Sequence, residues 1–427
     1  MKNILKLLRY ASMEIKSEWG HLNRVIMHRP GTEITYAMLA PKPFLFERPF
    51  NYSIANKEHQ NLEDTLRENG VKVDLLENLI VDEAEKKASF RQKLEEKIMA
   101  LVNFYGTMES VEEAKKDMEK NIKYVDPLSL FQALIMEPSI DLKEYVPGIQ
   151  YPRVYSNLPL ANLYFMRDQQ AVSSGVLLGK MKMQQRRKET DITSFVFSEI
   201  LGAKTKKITE GYFEGGDFIP CGDFCLIGTG NRTDETGAME AINSGIFNFP
   251  RVAIITNPLY DFMDGHDVMV NMHLDTYFNI PAKGMAITSV ELARVARAKI
   301  YTRDREGHYA QETETTLYDF LKGEGYEFIN LGISEQLSYS SNFLTLSDRK
   351  IVAIDSSKVI KKLLAENVFD TDTRQKIIKD MELKSGKMFP DSDAMAKSGI
   401  DVIKIDLSEI TGGYGGAHCM TSAIDRT

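Results

Sequence analysis

Cysteine is scarce in this chain of 427 residues, which contains only Cys221, Cys225 and Cys419. A secreted framework held by disulfides needs more cysteines at a recognisable spacing, so we expect a reduced, cytoplasmic protein. Cys221 and Cys225 lie in a strand-like run and have no partner pair that would complete a zinc site. We therefore expect both to be core residues.

Long apolar runs and blocks of basic residues are also missing. No apolar stretch approaches the roughly 18–20 residues that cross a bilayer, so we expect no membrane association. The opening MKNILKLLRYASMEIKSEW is interrupted by Lys6 and Arg9 and lacks a cleavage site, so we interpret it as a short lead-in and not as a signal peptide. The net charge is -8 without a basic patch, and we expect no nucleic-acid partner.

Several motifs that would identify common enzyme classes are absent as well. There is no G-x-S-x-G elbow, which argues against a serine hydrolase of that type. There is no G-x-x-x-x-G-K-[ST] loop, and no G-x-G-x-x-G follows a strand, so ATP and NAD are poorly supported. The chemistry must then come from the side chains themselves.

The texture of the chain divides it into two parts. It opens with a strand ending in a Pro-Gly turn (24–31), a helix (56–69) and a strand (71–76). Residues 79–149 are predicted to form an inserted helical bundle, since they are mostly rich in Glu, Lys, Leu, Met and Ala at helical spacing. Residues 1–78 and 150–427 are predicted to form an α/β domain of alternating strands and helices, the helices including 235–247 and 312–323.

Four short segments are unusually polar for places bounded by apolar strands. The last of them carries Cys419 after four glycines, and such a loop lets a thiol approach a ligand closely. The alternative interpretation is a flexible tail with a chance cysteine. The segments are NLYFMRD (162–168), EGGDFIPCGDFCLIGTGNR (214–232), NMHLDTYF (271–278) and GGYGGAHCMT (412–421).

His273 and Asp275 are two residues apart, so on a strand they would project to one face. An imidazole and a carboxylate together can hold a cation and move a proton. The alternatives are an exposed strand edge or a metal site, although no third or fourth ligand stands at a local spacing. Glu214, Asp217 and Asp168, each taken alone, are more typical of turn formers or surface ion pairs.

As a set, one thiol, one imidazole and several carboxylates suit a planar cationic substrate rich in N–H donors. A guanidinium is such a group, because it forms paired hydrogen bonds with carboxylates.

These four segments, in this order, resemble the arginine deiminases of the guanidino-modifying superfamily. The opening SEWGHLNRVIMHRPG and the helical insert are similar too, and the resemblance runs from about Ser17 to Ile424. It implies a five-bladed α/β propeller (pentein) of ββαβ units. It also implies that L-arginine is hydrolysed to L-citrulline and ammonia without a metal or an organic cofactor. Whether the protein forms a homo-oligomer is left open.

The resemblance further implies a role for each site residue. Cys419 attacks the guanidinium carbon, and His273 protonates the departing ammonia and then takes a proton from water. Asp168 and Asp275 clamp the guanidinium nitrogens, while Glu214 orients His273 and holds part of the substrate. The positions implied to bind the amino-acid end are Asn162, Arg186 and Arg232.

The sequence departs from the family pattern in several places, and these leave the far end of the substrate open. The alternatives are another guanidino hydrolase, for instance one acting on agmatine, an amidinotransferase, or a catalytically silent binding protein. The departures are Arg48 in place of an acid, Tyr414 in place of an arginine, Ala417 in place of a glycine, and Asp355, Ser356 and Ser357 in place of a Tyr-x-Arg-Asn signature.

Overall fold

The computed structural model describes residues 13–146, 149–261 and 272–427, so most of the predicted lead-in lies outside it. Within these ranges the chain is an α/β protein built from small mixed sheets, five of three strands and one of five. None of the described helices combines the length and the apolar composition that a membrane span requires.

Five of the sheets share one arrangement of strands. A first strand pairs antiparallel with a second, and a third strand pairs parallel with the second. The parallel neighbour requires a long crossover, and helices supply it in every unit. In order of first, second and third strand, one unit consists of β20 (Ser422–Arg426), β1 (Leu22–Met27) and β2 (Lys72–Leu75), and the next of β6 (Gln170–Val172), β7 (Val176–Leu178) and β8 (Thr205–Lys207). The third consists of β9 (Phe218–Pro220), β10 (Phe224–Thr229) and β11 (Arg251–Thr256), and the fourth of β12 (Phe278–Ala282), β13 (Met285–Thr288) and β16 (Glu327–Asn330). The fifth consists of β17 (Leu344–Ser347), β18 (Lys350–Ile354) and β19 (Asp401–Ile405).

The largest sheet is extended by a hairpin of β14 (Arg297–Arg303) and β15 (Tyr309–Thr316), which pairs antiparallel beyond β11. The helix predicted at 312–323 is therefore wrong over its first part, since it begins only at Leu317 and ends at Gly323. The run QETETT alternates threonines with charged residues, a pattern of period two that suits a strand with one face in solvent.

Several helices begin where the sequence supplies a capping side chain. Asn51 accepts a hydrogen bond from the Ile54 amide, so the helix predicted at 56–69 begins earlier, at Tyr52, and ends at Glu68 before Gly70. Asp355 likewise accepts a hydrogen bond from the Lys358 amide and caps the helix Ser356–Ala365. One of the departures from the family pattern thus has a structural role. The remaining α-helices outside the insert are Thr35–Leu39, Glu189–Phe195, Glu235–Asn243, Val290–Val295, Ile333–Gln336, Thr371–Leu383 and Asp393–Ser398.

The predicted insert is only partly helical. Two of its segments, β3 (Asn103–Tyr105) and β4 (Pro138–Val146), belong to a three-stranded sheet that the sequence analysis did not predict. In this sheet β3 is parallel to β4, and β4 is antiparallel to β5 (Ile149–Ser156), which begins at the last residue of the predicted insert. Phe131 of the insert belongs to the same apolar cluster as Val25 of β1 and Ile424 of β20, so this part shares a core with the α/β frame. The division into two domains stays a prediction. The helices here are Leu76–Lys86, Ala88–Leu101, Met108–Asn121 and Pro127–Met136.

Candidate active site

Each of the five repeated units contributes one polar residue just before its first strand. Asp168 precedes β6, Glu214 precedes β9, Asp275 precedes β12, Asn342 precedes β17 and Cys419 precedes β20. Equivalent positions in five similar units converge on one place, which explains why residues so far apart in sequence meet.

A ring of hydrogen bonds joins these five segments, each to the next and the last to the first. A backbone group takes part in every bond of the ring, and the side chains of Asp217 and Asn342 supply the other partner in three of the five. These bonds set the spacing between the segments. The five bonds are Gly215 N–H to Asp168 O (2.8 Å), Leu274 N–H to Asp217 Oδ1 (2.9 Å), Asn342 Nδ2–H to Asp275 O (3.3 Å), Cys419 N–H to Asn342 Oδ1 (3.0 Å) and Arg167 N–H to Cys419 O (3.0 Å).

The Cys419 thiol is buried, with 3% of the residue exposed, yet its nearest described partners are polar. Sγ lies 3.0 Å from Asn342 Nδ2 and 3.5 Å from Asp275 Oδ2. Burial raises the pKa of Cys419 well above its usual range, and the Asp275 and Asp168 carboxylates raise it further. In this state the thiol holds its proton, and a cation brought into the site would favour the thiolate.

The imidazole of His273 lies between two carboxylates. Nε2 is 2.9 Å from Glu214 Oε2, and Nδ1 is 3.6 Å from Asp168 Oδ1. Burial alone would lower the pKa of His273, but Asp168 and Glu214 outweigh it and raise the pKa to about 9. His273 is therefore an imidazolium at neutral pH, ready to give a proton.

Glu214 is held in its charged form by the groups around it. Burial opposes ionisation, but the Arg232 guanidinium and His273 lower the pKa of Glu214 to about 2. Glu214 Oε2 thus offers a charged partner to His273 Nε2 at 2.9 Å, and the role of orienting His273 stays a prediction.

Asp275 does not lie on a strand, so the predicted strand conformation of this segment is wrong. Residues Leu274–Thr276 form a 3-10 turn ahead of β12, and Asn271 lies outside the described residues. His273 and Asp275 consequently face different partners, and Asp275 Oδ2 accepts a hydrogen bond from His418 Nδ1 at 2.8 Å. Burial opposes ionisation of Asp275, but His418 outweighs it and lowers the pKa.

Two carboxylate oxygens at this centre are unsatisfied. Asp168 Oδ1 and Asp275 Oδ1 are buried and accept no hydrogen bond from any residue that the structure describes. Buried acceptors are nearly always paired, so an unpaired one calls for a ligand or water. One of these carboxylates lies beside the His273 ring and the other beside the Cys419 sulfur, which suits a substrate with several N–H donors between them.

Glycine is needed beside this centre because the backbone comes so close to the side chains. A Cβ on Gly216 would stand 2.8 Å from the His273 ring and 2.9 Å from Asp168 Oδ1. Gly216 of the EGGD segment thus leaves room for the imidazole and the carboxylate.

The two arginines predicted to bind the amino-acid end lie against carboxylates of the site. Arg186 Nη1 donates to Asp168 Oδ2 at 2.7 Å, and its Nη2 donates to Glu189 Oε2 at 2.9 Å. Arg232 Nη1 is 3.7 Å from Glu214 Oε2. Asn162 is the third residue predicted to bind the amino-acid end. Its Nδ2 donates to the Phe44 carbonyl at 2.8 Å, and its backbone carbonyl oxygen lies 3.5 Å from Arg186 Nη2.

Asp168, Glu214 and His273 each offer one possible metal-ligand atom, and these atoms lie within 4.8 Å of one another. Arg186 and Arg232 lie against the same carboxylates. Their positive charges oppose a divalent cation at this position. That no metal is needed stays a prediction.

Three of the departures from the family pattern, Arg48, Tyr414 and Ala417, lie in or beside the loop that leads to Cys419. The backbone N–H of Arg48 donates to the Gly412 carbonyl at 3.3 Å, and its guanidinium donates to the Ser408 carbonyl at 2.5 Å. Tyr414 is buried with a φ of 73°, and Lys42 Nζ lies 3.4 Å from its hydroxyl. The contacts of Arg48 with Ser408 and Gly412, and of Lys42 with Tyr414, therefore connect this loop to residues 42–48.

Three residues of the site were not predicted from the sequence. Asn342 contacts the thiol, His418 pairs with Asp275, and Glu189 pairs with Arg186. His418 stands in the motif that carries Cys419 and could have been found there. Asn342 lies in the serine-rich run SYSSNF, and only its place before the first strand of a unit distinguishes it.

The arginine deiminase family model matches residues 42–426 of this sequence. The chain belongs to the arginine deiminase family. Among its relatives, the arginine deiminase of Halobacterium salinarum is 24% identical, with 97% of each chain covered. The arginine deiminase of Oenococcus oeni is 26% identical, covering 98% of this chain and 99% of that protein.

Solved structures similar to this arginine deiminase family member support the α/β fold. Unliganded AgrE superposes with a TM-score of 0.52 at 12% identity, over 94% of this chain and 39% of that chain. The product-bound N-terminal domain of ArgZ, a cyanobacterial arginine dihydrolase, superposes with a TM-score of 0.50 at 13% identity, over 94% of this chain and 97% of that chain.

Proposed function

We propose that this chain hydrolyses the guanidinium group of L-arginine to L-citrulline and ammonia, with Cys419 as the nucleophile. The observation that carries the proposal is the pair of buried, unsatisfied oxygens of Asp168 and Asp275, which flank a thiol and an imidazolium. Membership of the arginine deiminase family and the names of its relatives support arginine as the substrate.

The first half of the reaction forms a bond from Cys419 Sγ to the guanidinium carbon. The bound cation favours the thiolate, which adds to the carbon while Asp168 and Asp275 hold the nitrogens in place. His273 then gives its proton to one terminal nitrogen, and the C–N bond breaks to release ammonia. The product of this half is an amidino-thioether on Cys419.

The second half replaces sulfur by oxygen. Neutral His273 takes a proton from a water molecule as the water oxygen adds to the same carbon. The carbon–sulfur bond then breaks, the thiolate leaves, and the released product is citrulline. His273 ends protonated, and the hydroxyl proton of the collapsing adduct returns to the Cys419 sulfur. The proton that the thiol lost when it became a thiolate leaves with the ammonia as ammonium, so the proton balance over both halves closes.

Binding of the amino-acid end of arginine would require side chains of the site to rearrange. The α-carboxylate of arginine is assigned to Arg186 and Arg232, with Asn162 beside them. Arg186 donates to Asp168 in this state, so arginine binding would exchange that contact for one with the substrate's carboxylate. The remaining pair with Glu189 would hold Arg186 while it does so.

We also propose that the five repeated units form a closed five-bladed α/β propeller around this site. The shared strand arrangement and the ring of five hydrogen bonds support it. A cytoplasmic location is proposed on the cysteine content, since Cys221, Cys225 and Cys419 are all free and buried.

The assay that tests this function incubates the purified protein with L-arginine or with agmatine, which lacks the α-carboxylate. We expect citrulline and ammonia from arginine in equal amounts, and much slower turnover of agmatine because two arginines lose their partner. Turnover of agmatine without turnover of arginine would contradict the roles given to Arg186 and Arg232. A His308→Gln variant, altered at an exposed side chain, is the matched preparation that should behave like the unaltered protein.

A further inference from the structure

Asn342 binds the nucleophile loop with both ends of its side chain. Oδ1 accepts hydrogen bonds from the Gly416 amide (2.9 Å) and the Cys419 amide (3.0 Å). Nδ2 lies 3.0 Å from Cys419 Sγ and also donates to the Asp275 carbonyl at 3.3 Å. The backbone takes part too, since the His418 N–H donates to the Asn342 carbonyl at 3.1 Å.

These contacts fix which end of the amide faces the sulfur. Two backbone N–H groups can be satisfied only by the oxygen, so the nitrogen is left to face Sγ. The side chain is buried, with 1% of the residue exposed, and it therefore acts where water cannot substitute for it. The end of the Asn342 amide that faces the sulfur is thus an N–H donor.

We propose that Asn342 is a catalytic residue, which stabilises the anionic sulfur of Cys419 through Nδ2–H while Oδ1 holds the loop in its reactive conformation. The sulfur is negative twice in the reaction, before it attacks and when it leaves, so one donor serves both halves. This inference deepens the proposed function and rests on it for the reaction, although the effect on the thiol itself needs no substrate.

The charges around the sulfur explain why such a donor is needed. Asp275 and Asp168 both oppose formation of a thiolate, whereas the Asn342 hydrogen bond favours it. Hydrogen bonds to charged groups are roughly twice as strong as those between neutral groups. The Asn342 donor therefore acts against the two carboxylates at the sulfur itself, in the direction that favours the thiolate.

The test is the rate at which iodoacetamide alkylates Cys419, followed on its peptide by mass spectrometry over a series of pH values. In Asn342→Asp the carboxylate can still accept from both backbone amides, but the donor is replaced by an anion. We expect alkylation to slow by at least about tenfold at neutral pH, and the rise of the rate to move to higher pH. Citrulline formation should fall with it.

Two further variants keep the result interpretable. Asn342→Ala removes the donor without adding charge, so it should slow alkylation in the same direction if Asn342→Asp does not fold. Asn243→Asp adds the same charge at an exposed helix position and should alkylate like the unaltered protein. An unchanged alkylation profile in a folded Asn342 variant, or equal slowing in Asn243→Asp, would overturn the inference.

The outcomes also separate this inference from the proposed function. Slower alkylation in Asn342→Asp together with no citrulline from the unaltered protein would leave the role of Asn342 standing and remove arginine as substrate. Citrulline from the unaltered protein with normal alkylation in Asn342→Asp would leave the function standing and remove the role of Asn342.

Discussion

Replacement of Cys419 by alanine is expected to abolish citrulline formation, with a loss of at least about 10⁴-fold in kcat. The reason is that the proposed reaction uses no other nucleophile: Asp168 and Asp275 are assigned to hold the substrate, and His273 is assigned to move protons. The small side chain should leave the loop intact, because its backbone bonds to Asn342 and Arg167 do not involve the sulfur.

The other two cysteines provide a matched control for this variant. Cys225 is buried in β10 and Cys221 lies just after β9, both among apolar neighbours. Cys225→Ala and Cys221→Ala should each keep kcat while costing about 1 kcal/mol of stability. Substantial turnover by Cys419→Ala would remove the proposed nucleophile.

His273→Gln is expected to lower kcat by at least about 10²-fold, since the leaving nitrogen and the attacking water both lose their proton partner. Glutamine keeps a polar side chain of similar reach but cannot exchange a proton near neutral pH. The measurement is steady-state citrulline formation under saturating arginine, with His308→Gln as the control for a histidine substitution at an exposed site.

The protonation state of His273 should also make kcat/KM depend on pH. Carboxylates raise the pKa of His273 from its ordinary 6.5 to about 9, so the imidazolium persists through neutral pH and is lost as the pH rises through about 9. The value of kcat/KM should therefore fall above that point, and the fall should be missing from the residual activity of His273→Gln. A high-pH limb that survives the substitution would assign it to another group.

Part of this molecule could be predicted from its sequence because local patterns determine it. The opening strand, helix and strand follow from hydrophobic spacing and from stop signals such as Gly70, and the structure places them close to their predicted bounds. The polar segments around Asp168, Glu214, His273 and Cys419 stood out because apolar strands bound them. Their convergence is a consequence of the repeated unit, which puts each segment in the same position.

What could not be predicted depends on contacts between distant segments. The run at 312–316 is a strand because it pairs with β14, although its charges also fit a helix surface. The sheet of β3, β4 and β5, which begins in the insert and extends beyond it, depends in the same way on pairing across a sequence rich in helix formers. Asn342 had no local signal, since an asparagine between serines and an apolar strand is typical of a turn.

The pairing of Arg186 with Asp168 illustrates the same limit for the site. The sequence analysis assigned Asp168 to the guanidinium end of the substrate and Arg186 to the amino-acid end, but in the structure the two side chains are hydrogen-bonded to each other. Whether two charged groups separated by 18 positions meet is decided by the turn after β7, not by the residues alone.

The central claim is that the guanidinium carbon becomes covalently bound to Cys419. Acid-quenching the protein during turnover of arginine, and measuring the mass of the peptide that contains Cys419, tests it most directly. The account predicts an added mass equal to arginine minus one ammonia on that peptide, absent from Cys419→Ala. An unmodified Cys419 peptide throughout turnover, or the adduct on Cys221 or Cys225, would contradict the account.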